Sequence, residues 1–85
     1  MFIKNLLEDS MLRLKDLRED KDLKQEDIAK ILNISQTNYS KYELGKINIP
    51  INSLIILATF YNTSIDYLLG LTNESKPYTR TKNIF

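Results

Sequence analysis

Five polar residues within six positions carry most of the chemistry in this chain: Gln36, Thr37, Asn38, Ser40 and Lys41. Amides, hydroxyls and a lysine are the side chains that hydrogen-bond base edges and phosphates in the major groove of a duplex. Side chains of these types at these positions do that work only if a helix turns them to one side. The surrounding residues, QEDIAKILNISQTNYSKYEL from Gln25 to Leu44, supply such a scaffold. Ile28, Ala29, Leu32, Ile34, Tyr39 and Tyr42 recur at a spacing that gives two short helices a shared apolar side. Asn33 falls between them, where a sharp turn needs positive φ, and Asn tolerates that region best after Gly. Ser35 stands where the second helix begins and its hydroxyl can cap the free N–H groups there.

Other chemistries are excluded by what the chain lacks. It has no histidine and no cysteine, hence no thiolate metal site, no disulfide framework and neither the usual general base nor the usual metal ligand. The pairs Glu19-Asp20 and Glu26-Asp27 read as solvated faces or as charges at helix N-termini. No phosphate-cradling loop is present. Neither a catalytic residue nor a metal or cofactor is expected, nor is a small-molecule ligand. The longest apolar run, Leu54–Phe60, is too short to span a bilayer. The opening residues Phe2 to Asp9 lack the long apolar stretch and cleavage site of a signal peptide, so a cytoplasmic location is expected.

The chain has 85 residues, the size of one small domain of modest stability. Its 12 basic and 11 acidic residues leave a net charge of +1, a weak footprint for a nucleic-acid binder. The distribution is less even than the total. Glu8, Asp9, Asp16, Glu19 and Asp20 crowd the first third, whereas Lys41, Lys46, Arg80 and Lys82 lie on or after the polar helix.

Apolar spacing and breakers predict five helices and no strand, an all-α, compact five-helix domain. They run over about 10–20, 25–32, 36–43, 51–61 and 65–69. Met11, Leu14 and Leu17 mark the first, and Leu54, Leu57, Ala58 and Tyr61 the inward stripe of the fourth. Gly45, Asn62 and Gly70 are the expected stops, Pro50 opens the fourth helix, and Ser64 caps the fifth. Ile55 and Ile56 make the fourth helix apolar on a second side as well. Residues 1–9 are read as an N-terminal extension, 10–70 as the domain and 71–85 as a flexible or dimer-contacting tail.

Three segments taken in order, LKDLREDKDLKQEDIAKIL, NISQTNYSKYELGK and IPINSLIILATFYNTSIDYLLG, resemble the phage-repressor-like helix-turn-helix family, the Cro/C1 or xenobiotic-response-element type. The likeness covers about Leu14 to Gly70. It implies a sequence-specific double-stranded-DNA-binding transcriptional regulator, a repressor acting as a homodimer on a palindromic operator, with the third helix in the major groove. It implies base contacts from Gln36, Thr37 and Lys41, bordered by Asn38 on the base side and Ser40 on the phosphate side. It further implies phosphate contacts from Gln25, Gly45, Lys46 and Asn48, and an ion pair between Arg18 and Glu43. The chain departs from the family pattern at Asn33, usually Gly, and at Tyr39, usually aliphatic. A buried Tyr39 hydroxyl needs a hydrogen-bond partner or a route to the surface. With no arginine on the third helix, adenine is the base that Gln36 or Asn38 suits. Ile55, Ile56, Tyr67 and the apolar ends are the candidates for a dimer contact. The same fold also serves as a protein-interaction module, an antitoxin or adaptor, and the near-neutral charge is compatible with that alternative.

Overall fold

The computed structural model describes residues 12–79. The helix start expected at Ser10 and Met11, and the expectations for residues 1–9 and 80–85, lie outside the described residues. Within them the chain forms five helices and no strand: α1 Leu14–Asp20, α2 Gln25–Leu32, α3 Gln36–Glu43, α4 Ile51–Phe60 and α5 Ile65–Leu68. The all-α reading therefore holds.

The core is one cluster. Leu14 of α1, Ile28, Ala29 and Leu32 of α2, Tyr39 and Tyr42 of α3, Leu54, Leu57 and Ala58 of α4, Tyr61 just after it and Leu68 of α5 are all buried together. Each short helix contributes an apolar stripe that none could bury alone, so the helices owe their stability to this shared core rather than to propensity. The inward stripe predicted for the fourth helix is buried in full. Its second apolar side is not: Ile55 is half-buried, Ile56 is exposed and Ile51 is 71% exposed.

All five helices stop in the same way. Asp22, Asn33, Gly45, Asn62 and Gly70 take positive φ, from 54° to 75°. In each case the next residue's N–H donates back across the turn: Leu23 to Arg18, Ile34 to Ala29, Lys46 to Lys41, Thr63 to Ala58 and Leu71 to Asp66, at 2.8–3.1 Å. This 6→1 closure satisfies a carbonyl that the end of the helix leaves free. Four of the five stops are at positions expected from the sequence; the stop at Asp22 is not among them.

Three boundaries differ from expectation. Helix α1 starts at Leu14, because Leu12 and Arg13 are not helical. The Arg13 N–H instead donates to the Leu68 carbonyl (2.9 Å), and its guanidinium donates to the carbonyls of Tyr67 (2.8 Å) and Thr72 (2.7 Å) while lying 4.0 Å from the Tyr67 ring centre. Arg13 is thus committed to the end of the domain around Tyr67 and Thr72. Helix α4 ends one residue before Tyr61, and α5 one before Leu69. Residues 71–79 carry no helix but touch the body of the domain: Thr63 donates to the Ser75 carbonyl (2.6 Å) and Tyr78 to Asp66 (2.7 Å).

Candidate nucleic-acid interface

The polar surface of α3 exists because its opposite side is anchored. Tyr39 is fully buried and Tyr42 nearly so, with their rings edge-to-face at 6.3 Å. At 3.6 residues per turn, fixing 39 and 42 inward turns 36, 37, 40 and 41 outward. Gln36, Thr37, Asn38 and Lys41 are exposed and Ser40 is half-buried. Ser35 Oγ accepts the Asn38 N–H at 3.1 Å, so the start of α3 is capped as its sequence predicts. Asn33, at φ 57°, sets the angle between α2 and α3.

Beyond the stop at Gly45 the loop residues Lys46 and Asn48 are also exposed. Among the described residues, the side chains of Thr37, Lys41, Lys46 and Asn48 make no hydrogen bond or ion pair, which leaves their polar atoms to solvent or to a ligand. On the other flank, α2 opens at Gln25. Asp27 folds back to accept the Lys24 N–H (2.8 Å), Lys24 is exposed, and the N–H groups of Gln25 and Glu26 have no partner within the helix. Lys24 was not singled out from the sequence; only its place at a helix start distinguishes it from other surface lysines.

Under this surface lies an ion pair. Arg18 Nε donates to Glu43 Oε2 at 2.7 Å and Nη2 to Oε1 at 3.1 Å, a two-pronged contact, while Nη1 caps the Leu23 carbonyl at 2.9 Å. The two side chains are only 11% and 4% exposed. Burial alone raises the Glu43 carboxyl, but the hydrogen bonds from Arg18 and Gln25 and the Arg18 charge outweigh it and hold the pKa below its ordinary value. The Arg18 guanidinium is pushed up, chiefly by its hydrogen bond to Glu43.

Gln25 does more than sit at a helix start. Its Nε2 donates to Glu43 Oε1 (3.1 Å) and its Oε1 accepts from Gln36 Nε2 (3.2 Å). One line of contacts therefore runs from Arg18 through Glu43 and Gln25 to Gln36. Nothing in the sequence spacing gave this line, because 25, 36 and 43 meet only after the turn at Asn33 closes. Tyr39 resolves its hydroxyl differently from either expected route. The group is buried against Glu43 but makes no hydrogen bond of good geometry among the described residues, and the Tyr61 hydroxyl is likewise unpaired. Burial first, then the Glu43 charge, raises the Tyr61 pKa to about 12, and burial is likewise the main cause that raises Tyr39.

Comparison with known proteins agrees with this architecture. The family model described as helix-turn-helix matches residues 14–68. The uncharacterized HTH-type transcriptional regulator YobD of Bacillus subtilis is 38% identical over 72 residues, 85% of this chain and 64% of that protein. The regulator ImmR of the same organism is 39% identical over 64 residues, 75% of this chain and 50% of its own length. The transcriptional activator BcrR of Enterococcus faecalis is 40% identical over 58 residues, 68% of this chain and 28% of that protein. This chain thus spans between about a quarter and two-thirds of the length of these relatives. No solved structure matches it. With a matching model that runs from the first helix to the last and relatives that share most of its length, the chain belongs to the Cro/C1-type helix-turn-helix family.

Proposed function

We propose that this protein is a sequence-specific double-stranded-DNA-binding transcriptional regulator that works in the cytoplasm. The observation that carries the reading is the anchored α3. Buried Tyr39 and Tyr42 fix one side, and Gln36, Thr37, Asn38 and Lys41 are exposed on the other. In this reading α3 enters the major groove and those four residues meet base edges. Gln25 at the open end of α2, with Ser40, Gly45, Lys46 and Asn48, meets phosphates on either side and fixes the register. A homodimer would place two α3 helices on half-sites about 34 Å apart on one face of a palindromic operator. Occupying that operator makes the protein a repressor.

Selection of bound sequences from a random duplex pool at two salt concentrations tests the reading. A palindrome with half-sites one helical turn apart supports it. Absence of any motif, with binding lost at physiological salt, rejects it. A reporter driven by the recovered operator tests the sign: repression requires expression to rise when the protein is removed.

One observation favours a second reading, a module whose main partner is a protein. Leu44, Ile47 and Ile51 are exposed close to a groove lined by Leu12, Ile49, Leu54 and Leu69. Binding to DNA that is absent at all salt concentrations would move the assignment there.

A further inference from the structure

The contacts from Glu43 to Gln36 have a direction. A carboxylate only accepts hydrogen bonds, and Arg18 only donates them. With Arg18 on both oxygens, Glu43 stays an acceptor. The group of Gln25 that faces it must then be the Nε2 amine, and the group that faces Gln36 must be the Oε1 carbonyl. Gln36 therefore turns its own Nε2 to Gln25, at 3.2 Å, and holds its Oε1 on the far side. Each amide has two orientations of similar shape, and the buried carboxylate selects one for both.

We propose that Glu43 is a positioning residue for base recognition: through Gln25 it fixes the sense of the Gln36 amide, and so makes Gln36 select adenine over guanine. This inference rests on the DNA-reading role proposed for α3. The chemistry follows from the edge that Gln36 presents. A donor on the Gln25 side and an acceptor beyond it match the N7 acceptor and N6 amine of adenine. Guanine shares N7 but carries the O6 acceptor where adenine has its amine, so a fixed Gln36 Oε1 would face another acceptor. An amide free to rotate can instead swing its Oε1 away and donate from Nε2 alone to O6 or N7, which shrinks the penalty against guanine. The discrimination thus arises in a residue that touches no base.

The test is the base preference of the full chain, read by selection and by direct affinity on single-base variants of the recovered site. Gln36→Ala identifies the base pair that Gln36 reads. In the native protein adenine should exceed guanine there by about 5- to 150-fold, the range of a good two-point contact. Glu43→Gln can donate as well as accept, so it should bring the two bases to within about threefold while leaving the other positions of the motif sharp. Should Glu43→Gln fold poorly with Arg18 left unpaired, the double variant Arg18→Met/Glu43→Gln removes the same directing charge without a stranded one. Gln25→Met interrupts the line at its middle and should have the same effect on that base pair. An unchanged preference in the Glu43 variants, or an equal loss of affinity for all sequences, would show a purely structural pair and overturn the inference. A Gln36→Ala variant with an intact motif would overturn it too. A native protein that selects no motif would instead reject the DNA-reading role itself, and this inference with it.

Discussion

Arg18 and Glu43 sit where the cost of removing one partner differs most from the value of the pair. An exposed pair contributes under about 1 kcal/mol, whereas a covered one leaves a stranded charge when broken, at about 3 kcal/mol or more. With side chains 11% and 4% exposed, this pair belongs to the second kind. Thermal melts of Arg18→Met and Glu43→Gln should each fall by more than about 10 °C, since about 1 kcal/mol moves a domain of this size by 4–8 °C. The double variant should recover most of the loss. The same pair gives an acid dependence. Glu43 has a folded pKa below its ordinary 4.5, so its contribution is complete above pH 4.5 and is lost as the pH falls through the folded value. Melting temperature against pH should drop in that window for the native protein and less in the double variant. Tyr61 has the opposite sign. Its folded pKa of about 12 exceeds the ordinary 10.0, so stability declines as the pH rises between them. Its unpaired hydroxyl is a desolvation cost, and Tyr61→Phe should raise stability by up to about 1 kcal/mol, read as a higher melting temperature. The Arg18–Glu43 contact entered the sequence reading only through a family resemblance. The Gln25 contacts did not enter at all, because pairings between residues 11 and 18 positions apart leave no periodic trace.

At the scale of helices, the sequence was most legible where a local rule decides the outcome. Apolar spacing placed α2 and α3 at their observed limits, and Ser35, Ser64, Gly45 and Gly70 announced caps and stops through their own side chains or the lack of one. The start of α1 was misplaced because Arg13 answers to Tyr67 and Thr72, more than fifty residues away. Asp22 shows the limit of turn chemistry: an aspartate accepts positive φ as a minority choice, so its stop is visible only in the fold. Two substitutions test the local rules. Ser35→Ala removes the cap on the Asn38 N–H and should cost about 1 kcal/mol by chemical denaturation. Asn33→Val forces a branched residue into the left-handed region and should cost about 1–2 kcal/mol or more, whereas Asn33→Gly should be tolerated.

For the molecule as a whole, the charge total of +1 concealed an arrangement rather than an absence. Glu43, the acidic residue of α3, is covered and paired, and the free side chains on that surface are amides, hydroxyls and lysines. Lys46→Ala should therefore weaken specific and non-specific DNA binding alike and lower the salt slope by about one unit. The exposed Ile56 on α4 is a candidate for the contact of the proposed homodimer. Sedimentation at tens of micromolar should show dimer, and Ile56→Asp should return monomer. Asn33, which is not among the residues proposed to meet bases, sets the line along which α3 points. Variation there acts as an error of aim: a substituted protein that still folds should keep its preferred sequence while its grip on every sequence loosens together. Loss of one letter of the motif marks a residue that reads; loss of grip with all letters intact marks one that steers.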